Sequence, residues 1–259
     1  MKARLDRLLV DRGLAPSRER AQRLIMAGEV LVGEQVVSKP GTEVPADAPV
    51  RLRTAPSVWV SRGGEKLAGA LDAFALVLTG RVVLDVGAST GGFTDVCLRR
   101  GARRVLAVDV GYGQLAWALR QDPRVVVIER TNARTLEPAM LPDVPEVAVV
   151  DVSFISLALV LPAVARVLAP EGEIVALVKP QFEVGKGEVG KGGVVRDPAQ
   201  RAAVVERVRG VMERLRFTVR GERESDLPGP KGNREVFLWG VRGSAQSSAC
   251  GSDRATTSS

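Results

Sequence analysis

Val82-Val83-Leu84-Asp85-Val86-Gly87-Ala88-Ser89-Thr90-Gly91-Gly92-Phe93 decides the fold. Residues 82–86 are an apolar run of strand length that carries one carboxylate. The glycine turn that follows leads into helical periodicity over 91–100. A strand that enters a helix through such a turn opens a βαβ unit. Working outward, further buried-strand candidates lie at 105–110, 125–128, 147–150, 174–178, 217–219 and 236–239. Helical patterns at 114–121, 155–168 and 198–215 separate most of them. This alternation predicts an α/β fold, a mostly parallel sheet covered on both faces. Only a loop separates the last two runs, which predicts an antiparallel pair at the end.

The turn also predicts a ligand. It departs from G-x-G-x-x-G, because Ser89 stands where the second glycine belongs. A dinucleotide needs that glycine for close approach of its pyrophosphate. S-adenosylmethionine carries no pyrophosphate and tolerates a side chain there. Seven strands with an antiparallel ending suit the Rossmann-like sheet of S-adenosylmethionine-dependent methyltransferases. The candidate cofactor residues are Asp85, Gly87, Ser89, Gly91, Gly92, Phe93, Asp109 and Asn132. Asp109 ends the second strand, where a carboxylate can accept both ribose hydroxyls. Gly91 and Gly92 leave room for the methionine moiety, and Asn132 is placed to meet the adenine edge. Gly185-Lys186-Gly187-Glu188-Val189-Gly190-Lys191-Gly192 nearly spells a phosphate loop, but Gly192 replaces the magnesium-holding Ser/Thr. It reads as a basic loop beside the substrate.

Four ionisable residues stand at the ends of regular elements: Lys66, Asp151, Lys179 and Glu235. Charges beside apolar runs are costly unless they are used or paired. In α/β sheets, ligands bind outside the carboxyl ends of the strands. Two amines and two carboxylates there can run proton transfer, and the chain has no histidine to do so. Neither Cys97, inside a helical pattern, nor Cys250, in the tail, suits a cysteine nucleophile, and two cysteines offer no metal cluster. Methyltransferases acting on amino groups resemble one another in an acidic residue or Asn followed by Pro-Pro and an aromatic. Here Asp151-Val152-Ser153-Phe154 lacks the prolines. A hydroxyl is a poor acid, and a lysine beside a second cation can take its proton or polarise it.

The first 55 residues form a separate pattern. Leu5, Leu8 and Leu9, then Ala21, Leu24 and Ile25, mark two short helices bearing Arg4, Arg7, Arg12, Arg18, Arg20 and Arg23. Val30-Leu31-Val32, Gly33-Glu34 and Gln35-Val36-Val37 read as strand, turn, strand. Leu5-Asp6-Arg7-Leu8-Leu9, Ser17-Arg18 with Arg20-Ala21, and Gly28-Glu29-Val30-Leu31-Val32-Gly33 resemble the S4 RNA-binding domain. Arg4, Arg7, Arg18, Arg20 and Arg23 are its candidate RNA contacts. The net charge of +7 likewise suits a polyanionic partner. A linker is expected at 56–60, the methyltransferase domain at 61–242 and a disordered tail rich in small polar residues at 243–259. No apolar run has transmembrane length, and the start does not read as a signal peptide, so the expected location is the cytoplasm, with no membrane partner.

Lys66, Asp151, Lys179 and Glu235 match the Lys-Asp-Lys-Glu tetrad of FtsJ-like ribose 2′-O-methyltransferases. With the S4-like start, Trp59-Val60-Ser61-Arg62-Gly63-Gly64-Glu65-Lys66 and Lys179-Pro180-Gln181-Phe182-Glu183, the chain resembles the TlyA family. That resemblance implies S-adenosylmethionine-dependent methylation of a cytidine ribose in ribosomal RNA, with the tetrad catalytic and ribosomal subunits as partners. Members are sometimes called haemolysins. A membrane-lytic protein and a non-catalytic ribosome-assembly factor are therefore the competing classes. The intact acid/base positions favour the enzyme.

Overall fold

The computed structural model describes residues 2–52, 58–185, 190 and 192–243. Residues 56 and 57 of the expected linker, the tail from 244 with Cys250, and 186–189 and 191 of the lysine–glycine loop lie outside them. The chain divides into two compact units, Met1–Val58 and Trp59–Ser259.

The first unit holds β1 (Lys2–Arg4), α1 (Leu5–Asp11), α2 (Arg18–Met26), β2 (Val30–Val32), β3 (Gln35–Val36), β4 (Glu43–Pro45) and β5 (Val50–Leu52). Leu5, Leu8 and Leu9 pack with Ala21, Ile25 and Val30, as their helical spacing predicts. Ser17 caps α2 by accepting from the Arg20 amide at 3.2 Å. β2 lies between β3 and β5 in an antiparallel sheet. The β1–β4 pair is unforeseen; each strand is three residues long, and β4 ends on a proline.

The second unit holds α3 (Arg62–Phe74), β6 (Val82–Val86), α4 (Gly92–Arg99), β7 (Arg104–Val108), α5 (Trp117–Arg120), β8 (Val125–Ile128), β9 (Val147–Val150), α6 (Leu157–Val167), β10 (Glu173–Val178), α7 (Pro180–Glu183), α8 (Pro198–Arg214), β11 (Phe217–Glu224) and β12 (Val236–Arg242). Its seven-stranded sheet has the order β11-β12-β10-β9-β6-β7-β8. β6 to β10 are mutually parallel, whereas β12 runs antiparallel to both β10 and β11. Alternate residues of each strand feed opposite faces. Leu84, Ala148 and Ala176 join Val160 and Met212 from α6 and α8. Val83, Val149 and Val175 join Leu71 and Val96 from α3 and α4. Among the described residues, no helix is long and apolar enough to cross a membrane.

Two features of this topology place the site. The strand order reverses beside β6, so a crevice opens between the carboxyl ends of β6 and β9. The antiparallel β12 starts where the parallel β10 ends, with Val178 opposite Val236. Residues just after β6, β9 and β10 and just before β12 therefore share one sheet edge.

Candidate active site

The β6–α4 turn needs glycine for two different reasons. Gly87 has φ +86° and Gly91 φ +96°, left-handed backbone that glycine adopts without strain. At Gly87 a Cβ would also stand 2.5 Å from the Asp151 carbonyl oxygen, so the turn passes directly against the β9 end. Where a Cβ would stand at Gly91 and Gly92, protein side chains fill the space, although Gly92 still lines the cavity described below. Leu119 and Leu115 side chains would lie 2.3 and 2.8 Å from a Cβ at Gly91, and Ser61 Oγ 2.2 Å from one at Gly92. These glycines close the turn against α5 and the start of α3.

Beneath the turn, Asp85 is fully buried and accepts from Thr94 Oγ1 at 2.6 Å, while its Oδ1 has no partner. Burial pushes its pKa up to about 7, helped by the charges of Asp151 and Asp109 and opposed by the Thr94 hydrogen bond. Asp85 supports the turn from below and is not among the residues that line the cavity described next. Asp109 follows β7 and accepts from the amides of Ser89 at 2.8 Å and Gly111 at 2.6 Å. Asn132 is exposed, and its Oδ1 accepts from the Arg134 amide.

A cavity of about 540 Å³ lies along the sheet edge. Gly87, Ser89, Gly92 and Phe93 line it together with Lys66, Asp151, Lys179 and Glu235. All four tetrad residues thus meet although 169 residues separate Lys66 from Glu235. Lys66 projects from α3, and its Nζ donates to Glu235 Oε2 at 2.6 Å. Glu235 is fully buried and Lys66 is 8% exposed. Lys179, 9% exposed, sits 2.5 Å from Asp151 Oδ1 and donates to Ser153 Oγ at 2.9 Å. Each amine has its own carboxylate, Lys66 with Glu235 and Lys179 with Asp151. Two neutral pairs result, arranged by the β9, β10 and β12 ends.

Several contributors escaped the sequence reading. Ser153, two residues after Asp151, is an ordinary loop serine by sequence, and its hydroxyl accepts from Lys179. Phe154 is 90% exposed with φ +64°, and its ring meets Phe182 at 4.9 Å. Asn233 lines the cavity, accepts from the Val195 amide and donates to the Gly193 carbonyl. Among the described residues, no group of three or more His, Cys, Asp or Glu could hold a metal ion.

In the first unit the candidate RNA contacts are unequal. Asp6, fully buried, accepts from Arg4, from Arg18 Nε at 2.9 Å and from Gln22. The Arg4 hydrogen bond leads the causes that hold the Asp6 carboxyl far below its usual range, against the opposing effect of burial. Arg23 pairs with Glu19, whereas Arg7 is exposed. Arg4, Arg18 and Arg23 therefore spend part of their hydrogen-bonding capacity inside the unit.

An FtsJ-like methyltransferase family model matches residues 59–242, and an S4 domain model matches residues 3–50. The chain is 54% identical over 239 residues to the 16S/23S rRNA (cytidine-2′-O)-methyltransferase TlyA of Mycobacterium tuberculosis, a match covering 92% of this chain and 89% of that one. It is 40% identical to Hemolysin A of Brachyspira hyodysenteriae, over 90% of this chain and 98% of the relative. A solved Streptococcus thermophilus protein called a hemolysin superposes with a TM-score of 0.74 at 43% identity, covering 93% of this chain and 88% of its own. The chain belongs to the FtsJ-like methyltransferase family and to its TlyA members, with an S4 domain ahead of the methyltransferase sheet.

Proposed function

We propose that the protein transfers a methyl group from S-adenosylmethionine to a ribose 2′-hydroxyl of ribosomal RNA, with cytidine as the target nucleoside, on ribosomal subunits in the cytoplasm. One observation carries this reading: the Lys66–Glu235 and Lys179–Asp151 pairs line the same cavity as the glycine turn. The residues present fit the cofactor. Thr90, Gly92 and Phe93 line the cavity at the start of α4, and their amides donate to no acceptor among the described residues. Amides at a helix start suit a carboxylate such as that of a methionine moiety. Asp109 stands at the end of β7 with lone pairs left for ribose hydroxyls. Bound there, S-adenosylmethionine supplies an electrophilic methyl carbon.

The protein's own groups handle the hydroxyl. As an ammonium paired with Asp151, Lys179 Nζ polarises the 2′-OH; once it has released its own proton it takes up that of the hydroxyl as the oxygen attacks. Asp151 and Ser153 hold that amine from two sides, which fixes its direction. Lys66 and Glu235 form the opposing wall and keep the site formally neutral. Holding the oxygen in line with the methyl group contributes alongside proton removal. The S4 unit supplies affinity through phosphate contacts from Arg4, Arg7, Arg18, Arg20 and Arg23.

Radiolabelled methyl transfer to ribosomal subunits tests the reading. The wild type should leave a ribose linkage resistant to alkali. Lys179→Ala should abolish transfer while cofactor and ribosome binding persist, and Lys179→Arg should fail too, because guanidinium does not give up its proton near neutral pH. An alkali-labile product, or full activity in Lys179→Ala, would overturn it.

A further inference from the structure

Glu183 lies outside the cavity lining, yet it is buried and both of its carboxylate oxygens are engaged at the end of the loop that carries Asp151. Its Oε2 accepts from Ser156 Oγ at 2.6 Å and its Oε1 from the Leu157 amide at 2.7 Å, at the start of α6. Its carbonyl accepts from Arg207 Nη1 of α8 at 2.8 Å. Glu183 closes α7, the single turn that follows Lys179. Ser156 caps α6, at the end of the segment that starts with Asp151. One carboxylate thus ties the loop after β10 to the loop after β9.

The tied segment is strained. Phe154 holds a left-handed φ of +64°, a conformation that a bulky side chain keeps only when its surroundings enforce it. Phe154 is almost fully exposed, so burial of its own ring does not enforce it. What remains is the ring contact with Phe182, the Lys179–Ser153 hydrogen bond and the Glu183 clamp. The first two belong to the site itself. Glu183 is the anchor behind them.

We infer that Glu183 is a positioning residue for the methyl transfer proposed above, holding Ser153 and Asp151 at the distance from Lys179 that the reaction uses. Both carboxylate oxygens are engaged and neither faces the cavity, so it acts through Lys179 rather than on substrate. A glutamine can reproduce both bonds, with Oε1 accepting from Leu157 and Nε2 donating to Ser156. Alanine leaves the Leu157 amide buried without an acceptor.

The experiment compares Glu183→Ala, Glu183→Gln and Ser156→Ala in the full-length protein. Initial rates of labelled methyl transfer to ribosomal subunits are measured below the melting temperature of each variant, with amide exchange followed over residues 152–157. Glu183→Ala should lower kcat at least tenfold, leave KM for both substrates within threefold and speed exchange over 152–157. Glu183→Gln should recover kcat to within threefold of wild type. If Glu183→Ala does not fold, Ser156→Ala decides: a severalfold loss of kcat at unchanged KM supports the clamp. Wild-type kcat in a folded Glu183→Ala, or in Ser156→Ala when Glu183→Ala is unfolded, would overturn it, even with a lowered melting temperature. If the wild type itself makes no alkali-resistant ribose product, the proposed reaction fails first and this inference fails with it.

Discussion

Removing Lys66 alone should damage stability and chemistry together, and the two losses can be separated. Lys66 Nζ sits 2.6 Å from the carboxylate of Glu235, which is fully buried. Its other oxygen, Oε1, has no partner, and a Cβ at Gly229 would stand 2.1 Å from it, so the chain packs tightly over this group. Lys66→Met therefore leaves a buried carboxylate without its partner. Breaking a buried pair from one side costs roughly 3–5 kcal/mol. For a unit of about 200 residues this corresponds to a fall in melting temperature of roughly 6–20 °C. Adding Glu235→Gln removes the charge while keeping the shape, and the double variant should regain most of the stability. Thermal and denaturant unfolding of the wild type, both single variants and the double variant give the coupling energy. A coupling below about 0.5 kcal/mol would mean that the pair does not neutralise itself as the geometry implies. The double variant should stay inactive although it is folded. Turnover in it would refute a part for Lys66 and Glu235 in the reaction.

Other expectations follow from the same geometry. Asp85 binds its proton more tightly when folded, with a pKa of about 7 against 3.8. Its contribution to stability should thus be present at low pH and vanish as pH rises through that window, by on the order of 4 kcal/mol at most. Asp85→Asn should flatten this part of the stability–pH curve, and an unchanged slope would remove Asp85 as its source. Asp109→Ala should weaken S-adenosylmethionine binding by roughly 1–3 kcal/mol, since it frees the Ser89 and Gly111 amides as well as losing ligand contacts. Calorimetry showing equal affinity would sink that assignment. Arg7→Ala should reduce the salt slope of RNA binding by about one, as expected for one lost phosphate contact, while cofactor affinity stays the same.

Apolar parallel strands are the most legible part of the sequence. Residues 82–86, 125–128 and 147–150 are uniformly apolar or nearly so, and their strands match the expected bounds. β11 was read short, ending at Val219, but it runs to Glu224. Its continuation, Arg220-Gly221-Glu222-Arg223-Glu224, is charged because β11 is an edge strand with one solvated face, and a bulge near Gly221 interrupts its register. α5 is only four residues, as half of the expected 114–121 helix lies outside it. The tetrad members were legible because each is a charge beside an apolar run. The Lys66–Glu235 pairing was not, since it depends on β12 running antiparallel beside β10. Glu183 gave no signal of its own, as a carboxylate on a short helix is ordinary until its burial is known.

The pairing bears on how the site can be both stable and reactive. Two lysines and two carboxylates at one sheet edge would be costly to bury singly, whereas two neutral pairs are tolerable. A neutral wall also leaves room for charges brought by the substrates. S-adenosylmethionine carries a sulfonium cation, and the RNA brings phosphates on either side of the target ribose. A site with excess positive charge would hold phosphate strongly in the ground state as well as the transition state, which lowers KM without raising kcat. On the function proposed above, phosphate attraction comes instead from the arginine-bearing helices of the first unit. This separation implies that lowering the charge of that unit changes ribosome affinity and its salt dependence, while the rate of the methyl transfer step on bound RNA is set by the four groups around Lys179.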